Sequence, residues 1–232
     1  MKTKIFCDIA DFKTIESFNK KSIVDGFTTN PSLMRLAGAK NYKDYSLRIL
    51  KVCKKKPISL EVFADEPKKM LEQAYIINSW AKNIYVKIPV VNSKGKFMGS
   101  VIKELSDNGV KLNITAVYTF KQTKRIVEKL NKKTKSIISI FAGRMADKGK
   151  DPVPIFKKSI AITKKYKNIE VLWASTREIY NYIQAKQLKC GIITMPPKLI
   201  DKLNNFGKSY KSMTIDTVKG FLNDSKKSKF FL

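Results

Sequence analysis

One lysine sits inside an apolar run of this chain: Lys87, in I-Y-V-K-I-P at Ile84–Pro89. Lysines are seldom buried without a partner or a task. An amine held in a partly desolvated site sheds its proton more readily and can attack a carbonyl carbon. Two carboxylates keep similar company. Asp8 closes the apolar segment I-F-C-D, and Glu61 interrupts I-S-L-E-V-F. Thr28, Thr29 and Asn30 close another such segment, Asn113 and Thr115 lie in L-N-I-T, Ser139 lies in I-I-S-I-F, and Ser175 follows L-W-A. One lysine, two carboxylates and a set of hydroxyls and amides suit Schiff-base carbonyl chemistry. Lys87 would attack a ketone and pass through a carbinolamine to an iminium, which draws electrons from the adjacent carbon–carbon bond. Glu61, through Thr115 or a water held between them, would move protons in dehydration and hydrolysis. Asp8 would take the hydroxyl proton as the carbon–carbon bond breaks. Asn30 and Asn113 would orient substrate hydroxyls.

A separate anion site is expected from Arg144, which follows F-A-G, and Arg177, which follows A-S-T. With Ser175 and a helix expected to begin beside it, the two guanidiniums form a phosphate clamp. A phosphorylated sugar suits such a site better than a neutral one.

The elements that must position these groups alternate. Short apolar segments at residues 4–9, 26–29, 58–63, 84–88, 111–116, 136–141, 170–174 and 191–194 read as eight strands. Their near-continuous Ile, Val, Leu and Phe content fits strands covered on both faces. Helical patterns fill the gaps, at 11–19, 31–37, 42–53, 67–80, 99–108, 120–130, 154–166 and 176–188. A further helix follows at 197–204, and 215–223 reads as a terminal helix. Eight strand–helix units predict an α/β fold, a (β/α)8 TIM barrel with an additional C-terminal helix. In a barrel the polar strand ends converge on the C-terminal mouth, where such folds carry their chemistry. An open sheet for a dinucleotide would advertise a glycine-rich first turn, and D-I-A-D-F has none. No linker divides the chain, so residues 1–232 are expected to form one domain. Residues 213–232 are expected to supply a C-terminal helix and a polar tail ending in F-F-L, which would dock on a neighbouring subunit or fray.

Composition bounds the reading. The chain has 232 residues, of which 43% are hydrophobic, enough for a substantial core. No apolar run is long enough to span a membrane, and the N-terminus lacks a signal-peptide pattern. The three cysteines, Cys7, Cys53 and Cys190, form no close-spaced pair, which favours reduced thiols and a cytoplasmic setting. With no histidine, neither His-based general-base catalysis nor His zinc ligation is available, and neither metal nor cofactor is expected. The formal charge of +28 arises from 47 Lys and Arg against 19 Asp and Glu. The lysines are dispersed over nearly every polar segment and arginine is scarce, which argues for a solvated surface and against dedicated nucleic-acid binding.

The motifs together resemble those of the transaldolase family, in the small subfamily that also includes fructose 6-phosphate aldolase. D-G-F-T-T-N-P-S-L at residues 25–33 is close to the family hallmark. V-K-I-P at 86–89 resembles the segment bearing the Schiff-base lysine. N-I-T at 113–115, F-A-G-R at 141–144, A-S-T-R at 174–177 and F-C-D-I-A-D at 6–11 agree too. The resemblance spans residues 1 to 221 in order. It implies a class I mechanism in which a dihydroxyacetone unit stays on Lys87 until an aldose phosphate accepts it. It implies Asp8 as acid/base, Glu61 and Thr115 as holders of the catalytic water, and Asn30, Asn113 and Ser139, with Thr29 and Phe141 beside them, as contacts to the intermediate. Arg144, Ser175 and Arg177 resemble the phosphate contacts. Small members of the family form pentamers that stack as decamers, so a homo-oligomer is implied.

Family members specialised as aldolases resemble this chain less at two positions, where they carry tyrosine for Phe141 and glutamine for Glu61. Transfer is therefore favoured over free aldol cleavage. Ile140 stands where the family often has proline, and M-A-D-K-G-K-D-P at 145–152 departs too. A specialised transaldolase of sugar biosynthesis with another acceptor is one alternative. A non-catalytic polyanion-binding protein is the alternative of another class.

Overall fold

Near-continuous apolar segments and helical periodicity between them yield eight strand–helix units. The structure is a computed structural model describing residues 2–228. The strands are β1 Lys4–Asp8, β2 Gly26–Thr28, β3 Ile58–Glu61, β4 Ile84–Pro89, β5 Leu112–Val117, β6 Ser136–Phe141, β7 Ile169–Ala174 and β8 Ile192–Met195. Each pairs in parallel with the next, and β8 closes on β1 with Phe6 opposite Thr194. The expected barrel is thus present, with strand ends within three residues of their expected places.

The helices are α1 Phe12–Asn19, α2 Pro31–Leu36, α3 Tyr42–Val52, α4 Pro67–Ser79, α5 Gly99–Asp107, α6 Phe120–Lys129, α7 Ala142–Ala146, α8 Val153–Thr163, α9 Tyr180–Gln187, α10 Pro197–Asp201 and α11 Tyr210–Ser228. Local caps fix several starts. Asp11, Asn30 and Asn41 accept N–H groups from the first turns of α1, α2 and α3, and Thr119 with Gln122 forms a capping box on α6. The five-residue α7 is too short to leave a periodic signature, and the sequence reading lacked it. The expected helix at 176–188 begins later, at Tyr180. Asn181 Oδ1 accepts the backbone N–H groups of Arg177 and Glu178 at 3.0 and 3.3 Å, holding that stretch in a loop.

The strands bury one face against the helices and turn the other inward. Along several strands the inward series runs from an apolar or aromatic residue low in the barrel to a polar one at the C-terminal mouth. Phe6 leads to Asp8, Tyr85 to Lys87, and Ile192 to Thr194. Phe6, Ile137, Leu172, Ala174 and Ile192 cluster as core, with Tyr85 and Phe141 against them. Gly26 makes room for this packing, because a Cβ there would lie 2.7 Å from the Phe6 ring.

The chain divides after Ile200. The second unit holds a 3-10 turn, Lys202–Asn205, and α11, which extends past the expected residues 215–223. Tyr210, Met213, Val218, Phe221 and Leu222 of α11 are exposed. The F-F-L end lies outside the described residues. Among the described residues no helix is long and apolar enough to cross a membrane. Cys7, Cys53 and Cys190 are buried and form no disulfide.

Candidate active site

Lys87 is the fourth residue of β4 and belongs to the inward series. It is only 7% exposed. Its Nζ donates to the Thr29 carbonyl at 2.8 Å and lies 3.0 Å from Glu61 Oε2. Strand register dictates the second contact, since Glu61 and Lys87 are direct partners across β3 and β4. The ammonium is thus held by one carbonyl and one carboxylate in an otherwise buried place. Glu61 forms no hydrogen bond with Thr115.

Glu61 is itself gripped by a residue the sequence reading passed over. β2 is only three residues long, so beyond Thr28 it leaves the β3 edge without a strand partner. Tyr42, the first residue of α3, fills the gap. Its hydroxyl accepts the Glu61 N–H at 2.9 Å and donates to the Glu61 carbonyl at 3.0 Å. Burial pushes the phenol far above its ordinary value, so it stays a donor at any pH of interest. The ring rests edge-on against Phe63, with centroids 5.5 Å apart.

Asp8, at the end of β1, accepts from Thr28 Oγ1 at 2.6 Å, and Thr28 Oγ1 lies 2.5 Å from Thr194 Oγ1. Because the Thr28 proton points to Asp8, the Thr194 hydroxyl is the donor in the second contact. Burial raises the Asp8 carboxyl above its ordinary 3.8, against the lowering effects of the Thr28 hydrogen bond and the Lys87 charge. A carboxyl tuned upward is better suited to exchange protons near neutral pH. Thr194, like Tyr42, was missed. A lone threonine in an apolar strand carries no local signal, and only barrel closure brings β8 beside β1 and β2.

Three further side chains make a buried chain across the mouth. Ser139 Oγ donates to Asn113 Oδ1 at 2.6 Å, and Asn113 Nδ2 donates to Ser59 Oγ at 2.9 Å. One Asn113 N–H remains for a ligand. Asn30 spends its Oδ1 capping α2, through the Leu33 N–H at 2.8 Å, so its amide nitrogen is the group left to donate. Thr29, expected to contact substrate, turns its side chain toward the protein. Its hydroxyl is buried on the Ser59 carbonyl at 2.8 Å, and its carbonyl serves Lys87. Thr115 faces the cavity where β5 bulges against β6, with Ala116 at φ +59°.

The residues expected to clamp a phosphate converge through a glycine. A Cβ on Gly143 would lie 1.7 Å from the Ser175 carbonyl oxygen, so only glycine lets the start of α7 approach the end of β7. Ser175 itself adopts φ +63°. Arg144 and Arg177 then flank the same cavity. Arg177 is engaged by Asp147, with Nε 3.1 Å from both carboxylate oxygens and Nη2 2.6 Å from Oδ2. Arg144 lies over the Phe141 ring at 5.2 Å and makes no ion pair among the described residues. The helix N-terminus expected beside Ser175 is not part of the clamp, since α9 starts at Tyr180.

The resulting cavity, about 180 Å³, is lined by Asp8, Thr28, Asn30, Lys87, Asn113, Thr115, Ser139, Phe141, Arg144, Ser175, Arg177 and Thr194, with Leu172 and Ala174. Glu61 and Thr29 stand outside that lining, next to Lys87. Among the described residues no group of three or more Cys, Asp and Glu is placed to hold a metal. Burial raises the Cys53 and Cys190 thiols to about 12, which removes them as nucleophiles at neutral pH. Lys87 brings its amine to the lining of the mouth.

The sequence profile of the transaldolase/fructose-6-phosphate aldolase family matches residues 5–230. A probable transaldolase of Herpetosiphon aurantiacus is 33% identical over 201 residues, covering 86% of each chain. Probable transaldolase 2 of Listeria monocytogenes is 31% identical over 224 residues, covering 95% of each. Among solved structures, thiamine phosphate pyrophosphorylase from Pyrococcus furiosus superposes with TM-score 0.55 at 8% identity, covering 83% of this chain and 85% of that one. At that identity the likeness concerns the barrel alone.

Proposed function

Because the chain belongs to the transaldolase/fructose-6-phosphate aldolase family, we propose that it is a class I transaldolase. It moves a dihydroxyacetone unit from a ketose phosphate, such as fructose 6-phosphate or sedoheptulose 7-phosphate, to an aldose phosphate. The observation that carries this reading is the buried Lys87 Nζ, 3.0 Å from the Glu61 carboxylate and on the wall shared by Asp8 and Arg144.

Lys87 Nζ adds to the ketone carbon, and the carbinolamine loses water to give the iminium. Glu61 and a water on Thr115 carry the protons of this step. Asp8 then takes the proton of the hydroxyl on the far carbon of the scissile bond. That bond's electron pair passes into the iminium, leaving an enamine, and an aldose phosphate departs. An acceptor aldehyde adds to the enamine carbon, the new alkoxide regains its proton from Asp8, and hydrolysis frees Lys87. Asn30 and Asn113 orient the hydroxyls, and Arg144 with Arg177 and Ser175 holds the phosphate.

Borohydride reduction in the presence of fructose 6-phosphate tests the reading. A reduced three-carbon adduct is expected on Lys87. Its absence, or its appearance on another lysine, overturns the mechanism. The aldolase alternative is weighed by free dihydroxyacetone: release should be slow without an aldose phosphate and transfer fast with one. Phe141, which has no hydroxyl, and the carboxylate of Glu61 favour transfer. The same reading assigns the exposed apolar residues of α11 to contact with a second copy in a pentamer or decamer, which sedimentation would measure.

A further inference from the structure

A second cavity lies at the opposite, N-terminal end of the barrel. It measures about 610 Å³, and its lining includes Lys4, Lys54, Lys55, Lys82, Lys111 and Lys135, with Asp25 the single carboxylate. The lysines come from successive strand starts. Lys4 opens β1, Lys54 and Lys55 precede β3, Lys82 precedes β4, Lys111 precedes β5 and Lys135 precedes β6. A ring of cations that converges on a hollow differs from cations scattered on a convex surface, because the hollow sums their fields.

Helix C-termini also point to this end of the barrel, and lysines answer their carbonyls. Lys56 donates to the carbonyls of Asn19 and Lys21, Lys132 to those of Val127 and Leu130, and Lys111 to that of Lys82. This accounts for Lys111 but not for the rest of the ring. Lys4 pairs with Glu170 at 2.5 Å. Among the described residues the ammoniums of Lys54, Lys55, Lys82 and Lys135 make no ion pair or hydrogen bond. Asp25, whose Oδ2 accepts the Ile5 N–H at 2.9 Å, sets one negative charge against them. Burial, and then the charge of Lys135, holds the Lys111 amine below the usual lysine range. Like charges gathered in this way are costly until an anion joins them.

We propose that this mouth is a second binding site, for a compact oligophosphate carrying two or three linked phosphates. The volume lies in the range of about 300–1,000 Å³ common to small-ligand pockets. The unpaired ammoniums outnumber the charge of one phosphate. The lining offers little to read a nucleobase: the Tyr85 ring is packed against the core and lies under Lys111 at 5.5 Å, and the Asn83 amide nitrogen is spent on the Cys53 and Lys56 carbonyls. The phosphate chain itself is therefore the recognised group. The site is independent of the chemistry at Lys87.

Calorimetric titration with inorganic tripolyphosphate at 0.15 M salt tests the proposal, with orthophosphate and a single-stranded RNA oligomer as companion probes. Tripolyphosphate is expected to bind at this mouth at least tenfold more tightly than orthophosphate. Lys54→Ser/Lys82→Ser/Lys135→Ser should weaken it tenfold or more. Lys68→Ser/Lys69→Ser, at the other end of the barrel in the first turn of α4, should change it less than twofold. Unchanged circular dichroism in both variants keeps the comparison fair. Equal losses in the two variants, no binding at millimolar tripolyphosphate, or tighter binding of RNA that ignores the triple substitution would each overturn the proposal, because the charge would then be acting as a dispersed surface.

Discussion

Tyr42 and Glu61 are joined twice by one hydroxyl, which takes the Glu61 N–H at 2.9 Å and serves its carbonyl at 3.0 Å. The phenol stands in for the strand that β2 is too short to supply. It therefore fixes the backbone of the carboxylate that pairs with Lys87.

Tyr42→Phe removes that hydroxyl and little else. Two backbone groups then lose a partner, at a cost of about 1–3 kcal/mol in unfolding free energy. Glu61 gains freedom beside Lys87, and a misplacement on the order of 1 Å in a catalytic group costs roughly ten- to a hundredfold in rate. We expect kcat to fall while KM for the sugar phosphate stays within about twofold, because hydroxyl and phosphate contacts come from other strands. Denaturant titration and steady-state kinetics read the two effects separately. A kcat equal to that of the parent would remove Tyr42 from the site.

Asp8→Asn tests the acid/base carboxylate twice. Carbon–carbon cleavage should fall by about 10²–10⁴, while the borohydride adduct on Lys87 still forms. The stability effect follows from the raised carboxyl. The folded protein holds the Asp8 proton more tightly than the unfolded chain, so the parent loses stability as pH rises from 3.8 through the raised folded value. The asparagine variant has no such loss. It should match the parent below pH ~4 and exceed it above the window, by about 1.4 kcal/mol for each unit of displacement. The acidic limb of the kcat/KM profile of the parent should likewise lie above 3.8.

The two arginines are not equivalent. Asp147 occupies Nε and Nη2 of Arg177, whereas Arg144 makes no ion pair among the described residues. Arg144→Ala should raise KM for phosphorylated donors tenfold or more and leave turnover of unphosphorylated dihydroxyacetone analogues nearly unchanged. Arg177→Ala should have the smaller effect. Parallel Michaelis curves on both donor types decide it; an equal loss on the unphosphorylated donor would place Arg144 outside the phosphate clamp.

Glu61→Gln/Phe141→Tyr should move the balance from transfer toward free cleavage. Phe141 lies 5.8 Å from Tyr118, between ring centroids, and a hydroxyl on its outer edge would add a phenol to the proton-moving groups of the mouth. Free dihydroxyacetone released without acceptor should rise relative to transfer, by several fold. A falling ratio would separate this chain from the pattern of its aldolase relatives.

The barrel was legible because its signals are local and repeated. Eight apolar runs bounded by helical segments leave few other ways to bury so many Ile, Val and Leu residues. Lys87, Asp8, Asn113 and Ser139 stood out for the same reason, as polar residues at inward positions of such runs. Features without a repeating signal were less legible. The start of α9 yielded to one asparagine side chain, α7 is a single short turn, and the Arg177–Asp147 pair depends on how two loops pack.

The sequence by itself determined the eight-fold alternation, the mouth at which polar strand ends gather, and the lysine set inside an apolar strand. Hydrophobic burial reads residue type and spacing directly, and both are present in the chain order. Only the tertiary structure decided that Glu61 lies 3.0 Å from Lys87, that Thr194 joins the Asp8 network from 166 residues beyond Thr28, that Tyr42 replaces a missing strand, and that six lysines ring the far mouth. Those relations are set by strand register and barrel closure, which bring together groups that no local pattern connects.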